Sequence, residues 1–258
     1  NGLIERCMAG GPVYDFVTED GIGHTLYVVA DKRQIEAVEK AFANVRTLYI
    51  ADGHHRSAAA ARVRNMCRDR NPAHTGMEEY NRFLAVIFPH DMMRIMDYNR
   101  VVKDLNGLSV TGLIRQIGEN FTIERQDGIF KPAQPHEFGM YIDNTWYRLA
   151  AKPGSFNADN PVERLDVSIL QQNLLGPVLG INDPRTDKRI NFVGGIRGMQ
   201  ELVRLVDTGK YAVAFAMFPT SIQELMDIAD AGQIMPPKST WFEPKLRDAM
   251  VVHLTPVY

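Results

Sequence analysis

Short apolar runs typical of strands alternate with amphipathic runs typical of helices along most of the chain. The strand-like runs are rich in β-branched and aromatic residues, as in Thr25–Ala30. The helix-like runs space apolar residues three and four apart, as in Lys32–Asn44. This alternation limits the chain to an α/β fold, with some elements arranged in the α+β manner.

Further strands and helices are predicted downstream. Strands are expected at Thr47–Ala51, Phe83–Phe88, Phe121–Arg125, Glu137–Ile142 and Trp146–Ala150, and a helix at Val110–Ile117. The last hundred residues predict the order helix, strand, helix, strand, helix, at Val162–Leu175, Arg189–Val193, Met199–Val206, Ala212–Phe218 and Ile222–Ala229. That order favours βαβ units and a partly parallel sheet. A loop rich in Pro, Gly, Asn and Asp at Lys152–Pro161 suggests two domains, 1–151 and 152–258.

Composition excludes several classes of protein. With 45% hydrophobic and 23% charged residues in 258, the chain is neither disordered nor collagen-like. Its net charge of -2 provides no general attraction for nucleic acid. The longest apolar runs are far shorter than the roughly 20 residues of a membrane span. Two distant cysteines, Cys7 and Cys67, indicate a reducing compartment, so a cytoplasmic location is expected.

The turn between the predicted strand at Thr47–Ala51 and the alanine-rich helix after it carries the strongest chemical signal. Gly53 lets the backbone approach a ligand closely, and a helix that begins near Arg56 directs its free N–H groups to the same place. Arg56 adds a planar donor suited to phosphate, and His54 and His55 add further N–H donors. The pattern predicts an anion site.

Asp52 sets this turn apart from simple phosphate retention. A carboxylate at an anion site makes chemical sense where Mg²⁺ bridges it to phosphate oxygens, or where it accepts a proton. The alternative is a structural turn in which Asp52 only caps the helix. Zinc is disfavoured because adjacent histidines point in different directions and no Cys pair lies near.

The run Leu48–Ser57 resembles the signature of the domain-of-unknown-function 1015 family of bacterial and archaeal proteins. The resemblance covers nearly the whole chain from about Val13 onward. It continues through Glu78–Pro89, Asp97–Gly107, Leu165–Gln171, Phe192–Gly198 and Met235–Leu246. The Asp-Gly-His-His-Arg turn is also similar to that of the free-serine kinases of the ParB and sulfiredoxin-like fold. The resemblance therefore implies a ParB/sulfiredoxin-like N-terminal part, followed by a second α/β part.

The resemblance also implies residue roles and ligands. The expected ligands are ADP or ATP, Mg²⁺ and a serine-like phosphoryl acceptor. The nucleotide phosphates would be held by Gly53, His54, His55, Arg56 and Ser57. Asp52 would serve Mg²⁺ or the reacting hydroxyl, with His55 as the second catalytic residue. Phosphoryl transfer needs charge neutralisation and alignment, and such a turn supplies both.

The resembling kinases use a glutamate upstream of the turn as the base for the serine hydroxyl. No carboxylate of this chain has matching surroundings, and Asp20 is the nearest substitute. Because the chain begins at Asn1 rather than Met, we expect an N-terminally incomplete first domain. Either the base belongs to absent residues near Cys7, or the chain binds without catalysing. The alternative function is a ParB-like nucleotide-binding switch or a regulatory module, either of them without small-molecule turnover. A homodimer is compatible with each of these functions.

Other segments supply weaker candidates. Lys238, Ser239 and Thr240 offer a cation and two hydroxyls on a proline-rich loop. Asn81 and Arg100 border predicted strands and could recognise the carboxylate of an amino acid. The glycine turn before Arg197 is more typical of a structural turn. The predicted substrate contacts are therefore Asn81, Arg100, Lys238, Ser239 and Thr240.

Overall fold

The computed structural model describes residues 2–245, 247–248 and 250–254. The chain divides into two compact units, Asn1–Ile50 and Ala51–Tyr258. The sequence-based boundary between residues 151 and 152 stays a prediction. The strands on its two sides share one sheet, as described below.

The first unit contains two helices and a two-stranded antiparallel ladder. The elements are α1 (Gly2–Cys7), β1 (Tyr14–Val17), β2 (Gly23–Leu26) and α2 (Lys32–Phe42). Asp31 caps α2, because its side chain accepts the Gln34 N–H at 3.0 Å. Asp20 stabilises the β1–β2 turn, where its Oδ1 accepts the Thr18 hydroxyl at 2.5 Å.

The second unit is built on six antiparallel strands in the order β5-β7-β6-β9-β4-β8. These strands are β4 (Tyr98–Val102), β5 (Phe121–Gln126), β6 (Glu137–Ile142), β7 (Thr145–Ala151), β8 (Ile190–Gly194) and β9 (Val213–Met217). The β6–β7 hairpin turns at Asp143 and Asn144, both at positive φ, which short polar side chains tolerate. A separate ladder joins β3 (Arg94–Met96) to β10 (Trp241–Glu243).

Helices cover both faces of the six-stranded sheet. They are α4 (Val110–Ile117), α5 (Asp166–Leu170), α6 (Gly198–Asp207) and α7 (Ile222–Asp230). The unit also contains α3 (His54–Arg70), in which no residue is buried. A π-helical turn at Gln171–Leu175 extends α5. The larger core cluster joins α4, α5 and α7 to one sheet face, and the smaller one joins α6 to the other. The mixed α/β class predicted from the sequence is confirmed.

The prediction of a partly parallel sheet is wrong. β8, α6 and β9 do form a strand–helix–strand unit, and β8 and β9 run in the same direction. However, β4 lies between them and pairs antiparallel with both. A strand from earlier in the chain therefore splits the βαβ unit, and every neighbouring pair in the sheet is antiparallel.

Two predicted strands are absent. Residues 47–51 and 83–88 belong to no ladder among the described strands. Several of their apolar side chains are exposed, including Leu48, Phe83 and Val86. β-Branched and aromatic residues give a segment strand propensity, but a strand forms only where a neighbouring strand satisfies its backbone. None of the described helices is both long enough and apolar enough to cross a membrane.

Candidate functional site

The turn at residues 52–57 stands at the start of α3. Gly53 adopts φ 83°, a left-handed conformation in which a side chain would be strained. The helix begins at His54, two residues earlier than expected, and its first bond runs from the Ser57 N–H to the Gly53 carbonyl at 2.9 Å. Within the described chain, the N–H groups of His54, His55 and Arg56 donate to no acceptor, and no side chain caps the helix.

The side chains of this turn are open to solvent. Asp52, His54, His55 and Arg56 are exposed, and Ser57 is half-buried. The Arg56 guanidinium folds back over Gly53, since its Nη2 would lie 3.4 Å from a Cβ placed there. A guanidinium beside three free amides at the positive end of a helix forms a site for an anion.

Asp52 is turned away from the free amides of His54, His55 and Arg56. Its Oδ1 accepts the Gly53 N–H at 2.7 Å. Its Oδ2 lies 3.6 Å from the Lys245 Nζ, and both side chains are more than half exposed. Asp52 therefore shapes the turn and pairs with a cation, and it does not cap α3 as the structural alternative supposed.

A line of cation and aromatic contacts runs from this turn to the loop before β10. The Lys245 Nζ lies 5.5 Å from the Trp241 ring, and Trp241 packs edge-on against Tyr98 at 5.3 Å. The Lys238 Nζ lies 5.8 Å from the Tyr98 ring. Lys238, Trp241 and Lys245 thereby belong to one series of direct contacts that ends at the Asp52 carboxylate.

Arg100 and the 238–240 loop do come together. The Arg100 Nη2 donates to the Lys238 carbonyl at 3.0 Å. The Ser239 hydroxyl donates to the Pro236 carbonyl at 2.6 Å, and the Thr220 hydroxyl donates to the Ser239 carbonyl at 3.1 Å. Ser239 is buried and Thr240 half-buried, whereas Lys238 is exposed at φ 59°. Ser239 therefore holds the loop, and Lys238 is the residue that the loop presents to solvent.

Asn81 is engaged elsewhere. Its Oδ1 accepts the Arg64 Nε at 3.1 Å, and its Nδ2 donates to the Glu78 Oε2 at 3.0 Å. Glu78 also accepts the backbone N–H groups of Thr75 and Gly76, and these bonds, with Thr75 first, lower its pKa to about 2. Asn81 thus links α3 to a local loop network, and no contact within the described chain joins it to Arg100.

Two polar residues near Arg100 that have a buried side-chain oxygen without a partner were not predicted. Asp166 begins α5, its Oδ1 accepts the His136 N–H at 2.8 Å, and its Oδ2 is buried without a partner in the described chain. Burial raises the pKa of Asp166 to about 7. Gln171 donates its Nε2 to the Ile181 carbonyl at 2.6 Å, and its Oε1 is likewise buried without a donor. The sequence signal was weak, because residues 165–175 also contain Ser168, Gln172 and Asn173 among the apolar residues.

The turn at residues 52–57 is an exposed helix N-terminus on a mixed α/β scaffold. The chain belongs to the family described as protein of unknown function (DUF1015), whose model matches residues 1–168. The family expected from the motifs is therefore confirmed. No curated protein matches the chain.

Solved structures give weaker likenesses. The chain is similar to a free serine kinase in complex with AMP, with 10% identity and a TM-score of 0.42, over 83% of this chain and 80% of that one. A variant of a free serine kinase in complex with ADP gives 12% identity and a TM-score of 0.40, over 83% and 81%. A conserved hypothetical protein from Pyrococcus furiosus gives 14% and 0.40, over 75% and 68%.

Proposed function

We propose that this protein is a nucleotide-dependent small-molecule kinase that transfers a phosphoryl group from ADP or ATP, with free L-serine as the favoured acceptor. Residues 53–57 bind the nucleotide phosphates, and Asp52 and His55 act at the reacting centre. The nucleotide and the acceptor come from the resemblance of the Leu48–Ser57 run to free-serine kinases. The phosphate chemistry comes from the geometry of the turn.

One observation carries the proposal. The first three N–H groups of α3 are free within the described chain, no side chain caps them, and the Arg56 guanidinium lies beside them. α3 has 17 residues, and no side chain accepts a hydrogen bond from its first N–H groups. The helix therefore lacks the stabilisation that an N-cap residue usually provides. A bound phosphate would supply the missing acceptors.

The residues present fit a magnesium ion held together with a nucleotide. Mg²⁺ is commonly bound by one or two carboxylates plus phosphate oxygens and water. Asp52 supplies the one carboxylate at the turn, and no group of three or more His, Cys, Asp or Glu within the described residues could hold a metal. When bound, the ion would neutralise charge that develops on the transferred phosphoryl group. Asp52 must then exchange its Lys245 contact for the ion.

The direct test follows O-phosphoserine by ³¹P NMR. The purified chain is incubated with L-serine, Mg²⁺ and either ADP or ATP. We expect serine-dependent nucleotide consumption that Asp52→Ala abolishes and that Arg56→Gln lowers about 10- to 100-fold, since charged donors at the transferred phosphoryl group carry much of such catalysis. Arg62→Gln is the matched control, because Arg62 is exposed on the same helix away from its N-terminus and should stay within about twofold.

Equal losses in Arg56→Gln and Arg62→Gln would contradict the proposed phosphate site. Phosphorylation of another hydroxyl compound, with serine inert, would retain the kinase and replace the acceptor. Absence of any phosphorylated product, with nucleotide still bound, would exclude the kinase.

A nucleotide-binding switch without small-molecule turnover is the second candidate. It is favoured by the engagement of both Asp52 oxygens, one by the Gly53 N–H and the other by Lys245. A carboxylate with partners on both oxygens can hold the turn in shape for binding, but it is poorly placed to accept a proton from a substrate. If the protein is such a switch, L-serine should not change its affinity for the nucleotide. The nucleotide should then be hydrolysed slowly even when no L-serine is present.

A further inference from the structure

Arg100 is a buried cation without an anionic partner among the described residues. Its side chain projects from β4 on the face covered by α5, and the residue is 4% exposed. The Nη1 donates to the Tyr98 carbonyl and the Nη2 to the Lys238 carbonyl. Asp166 acts on it electrostatically, but no carboxylate of the described chain comes within ion-pair distance. Buried arginines are almost always paired, so this charge calls for a counterion.

A cavity of about 410 Å³ opens at Arg100. Most of its wall is apolar, from Val167, Leu175, Phe192, Pro236 and Pro237. Gln171 and Asn182 add polar groups. Arg185 and Asp183 stand at the same cavity but neutralise each other through an ion pair of 2.9 Å. The unbalanced charge in the cavity is therefore the single positive charge of Arg100.

Gln171 gives this cavity a second unsatisfied group. It opens the π-helical turn, in which the Gly176 N–H reaches back five residues to the Gln171 carbonyl at 2.9 Å. Turns of this kind are frequent at functional sites, because they widen a helix locally. The buried Gln171 Oε1, which has no donor among the described residues, can accept a hydrogen bond from a ligand.

We propose that this Arg100 cavity is a binding site for a small monocarboxylate with a compact apolar body. The ligand carboxylate would take the guanidinium N–H groups that the Tyr98 and Lys238 carbonyls leave free, which are three of five. The apolar body would lie against Phe192, Val167 and the two prolines. A ligand amine or amide would donate to the Gln171 Oε1.

The number and kind of donors favour a carboxylate over a phosphate. A phosphate has three acceptor oxygens and about two charges, and protein sites meet it with several cations or a helix N-terminus, as at the Asp52–Ser57 turn. The Arg100 cavity has one partly occupied guanidinium and apolar walls. Such a site matches one charge and an apolar group, independently of any activity at the turn.

The test measures binding of simple probes by isothermal titration calorimetry to the full chain. We expect 3-methylbutanoate to bind at least about tenfold more tightly than acetate, because three more carbons are buried. Its neutral isostere 3-methylbutanamide should bind at least about tenfold more weakly than the acid, because it cannot pair with the guanidinium. Equal binding of acid and amide, or no binding of either, would overturn the proposal.

Two variants locate the binding. Arg100→Lys keeps the charge but loses the planar fork, and should weaken 3-methylbutanoate binding at least about fivefold. Val167→Phe fills the cavity without touching the charge and should abolish binding, so that it decides the question if Arg100→Lys does not fold. Arg204→Gln is the control and should stay within about twofold, since Arg204 pairs with Glu201 on α6 and does not line the cavity. Unchanged binding in Val167→Phe would reject the Arg100 cavity.

Discussion

The turn at Asp52–Ser57 and the interior around Arg100 hold polar groups in opposite ways. At the turn, the His54, His55 and Arg56 side chains are exposed and their backbone N–H groups are free within the described chain. Around Arg100, the polar groups are buried and most of them bridge elements of the fold. The difference shows that an exposed polar group can lack a protein hydrogen-bond partner at low cost, because water replaces the partner. A buried polar group without a partner destabilises the fold.

The contrast between the two regions would disappear if the side chains of the turn were needed for stability. The largest effect that we expect, a loss of stability on core truncation, tests this. Phe215 is fully buried in β9 at the centre of the sheet. We expect Phe215→Ala to lower the free energy of unfolding by about 3–5 kcal/mol, through lost burial and the cavity left behind. His55→Ala at the exposed turn should change it by less than about 0.5 kcal/mol. Urea denaturation followed by circular dichroism measures both, and comparable losses would show that the turn supports the fold.

The second largest effect is a dependence of stability on pH that comes from Asp166, in the buried region around Arg100. The residue is 9% exposed, and the pKa of its carboxyl rises from 3.8 in the unfolded chain to about 7, chiefly because of burial. Between these values the unfolded chain releases a proton that the folded protein retains. Stability should therefore fall as pH rises from about 4 to about 7, by up to about 4 kcal/mol, and should then level off.

Asp166→Asn keeps an acceptor for the His136 N–H and removes the ionisation. We expect this variant to lack the decline that the wild-type chain shows, as measured by urea midpoints at pH 4.5, 5.5, 6.5 and 7.5. Asp143→Asn makes the same chemical change at an exposed turn, where Asn tolerates φ 47°, and serves as the control. A decline that persists unchanged in Asp166→Asn would assign the titration to another group.

The sequence predicted best where local pattern and final partners agree. Val110–Ile117 and Glu137–Ile142 were placed correctly to the residue, because capping by Ser109 and the Asp143–Asn144 turn are local signals. The sheet direction was not predictable in this way. The insertion of β4 between β8 and β9 depends on contacts about ninety or more residues apart, which a local pattern does not encode.

The candidate site also contains one part that local sequence pattern predicts and another part that depends on long-range contacts. The Asp52–Arg56 turn could be found from sequence, because glycine, histidines and arginine ahead of an alanine-rich helix form a local pattern. The contact of Asp52 with Lys245 and the juxtaposition of Arg100 with Gln171 could not, since each joins distant parts of the chain. Asp166 was visible only as a charged residue between the apolar Leu165 and Val167, a feature with several explanations.

A smaller effect separates backbone strain from ligand binding at the turn. Gly53 and Gly232 both have positive φ, 83° and 66°. Gly53→Ala and Gly232→Ala should each cost about 1 kcal/mol of stability, because a Cβ is disfavoured in this conformation. Only Gly53→Ala should also weaken ADP binding, since relief of the strain at φ 83° would shift the backbone turn that positions the free amides of α3. Calorimetric titration with ADP provides the readout, and equal affinities for the two variants would remove the turn from the nucleotide site.

The smallest effect concerns the ion pair that connects the turn to the chain after β10. Asp52 and Lys245 are 64% and 53% exposed in their side chains, and their charged atoms are 3.6 Å apart. A double-mutant cycle with Asp52→Asn and Lys245→Met should give a coupling free energy of about 0.2–1 kcal/mol, since water screens an exposed pair. The coupling should shrink further in 1 M salt. A coupling above about 2 kcal/mol that resists salt would mean that this contact is buried in solution, and Asp52 would then be closed to both magnesium and substrate.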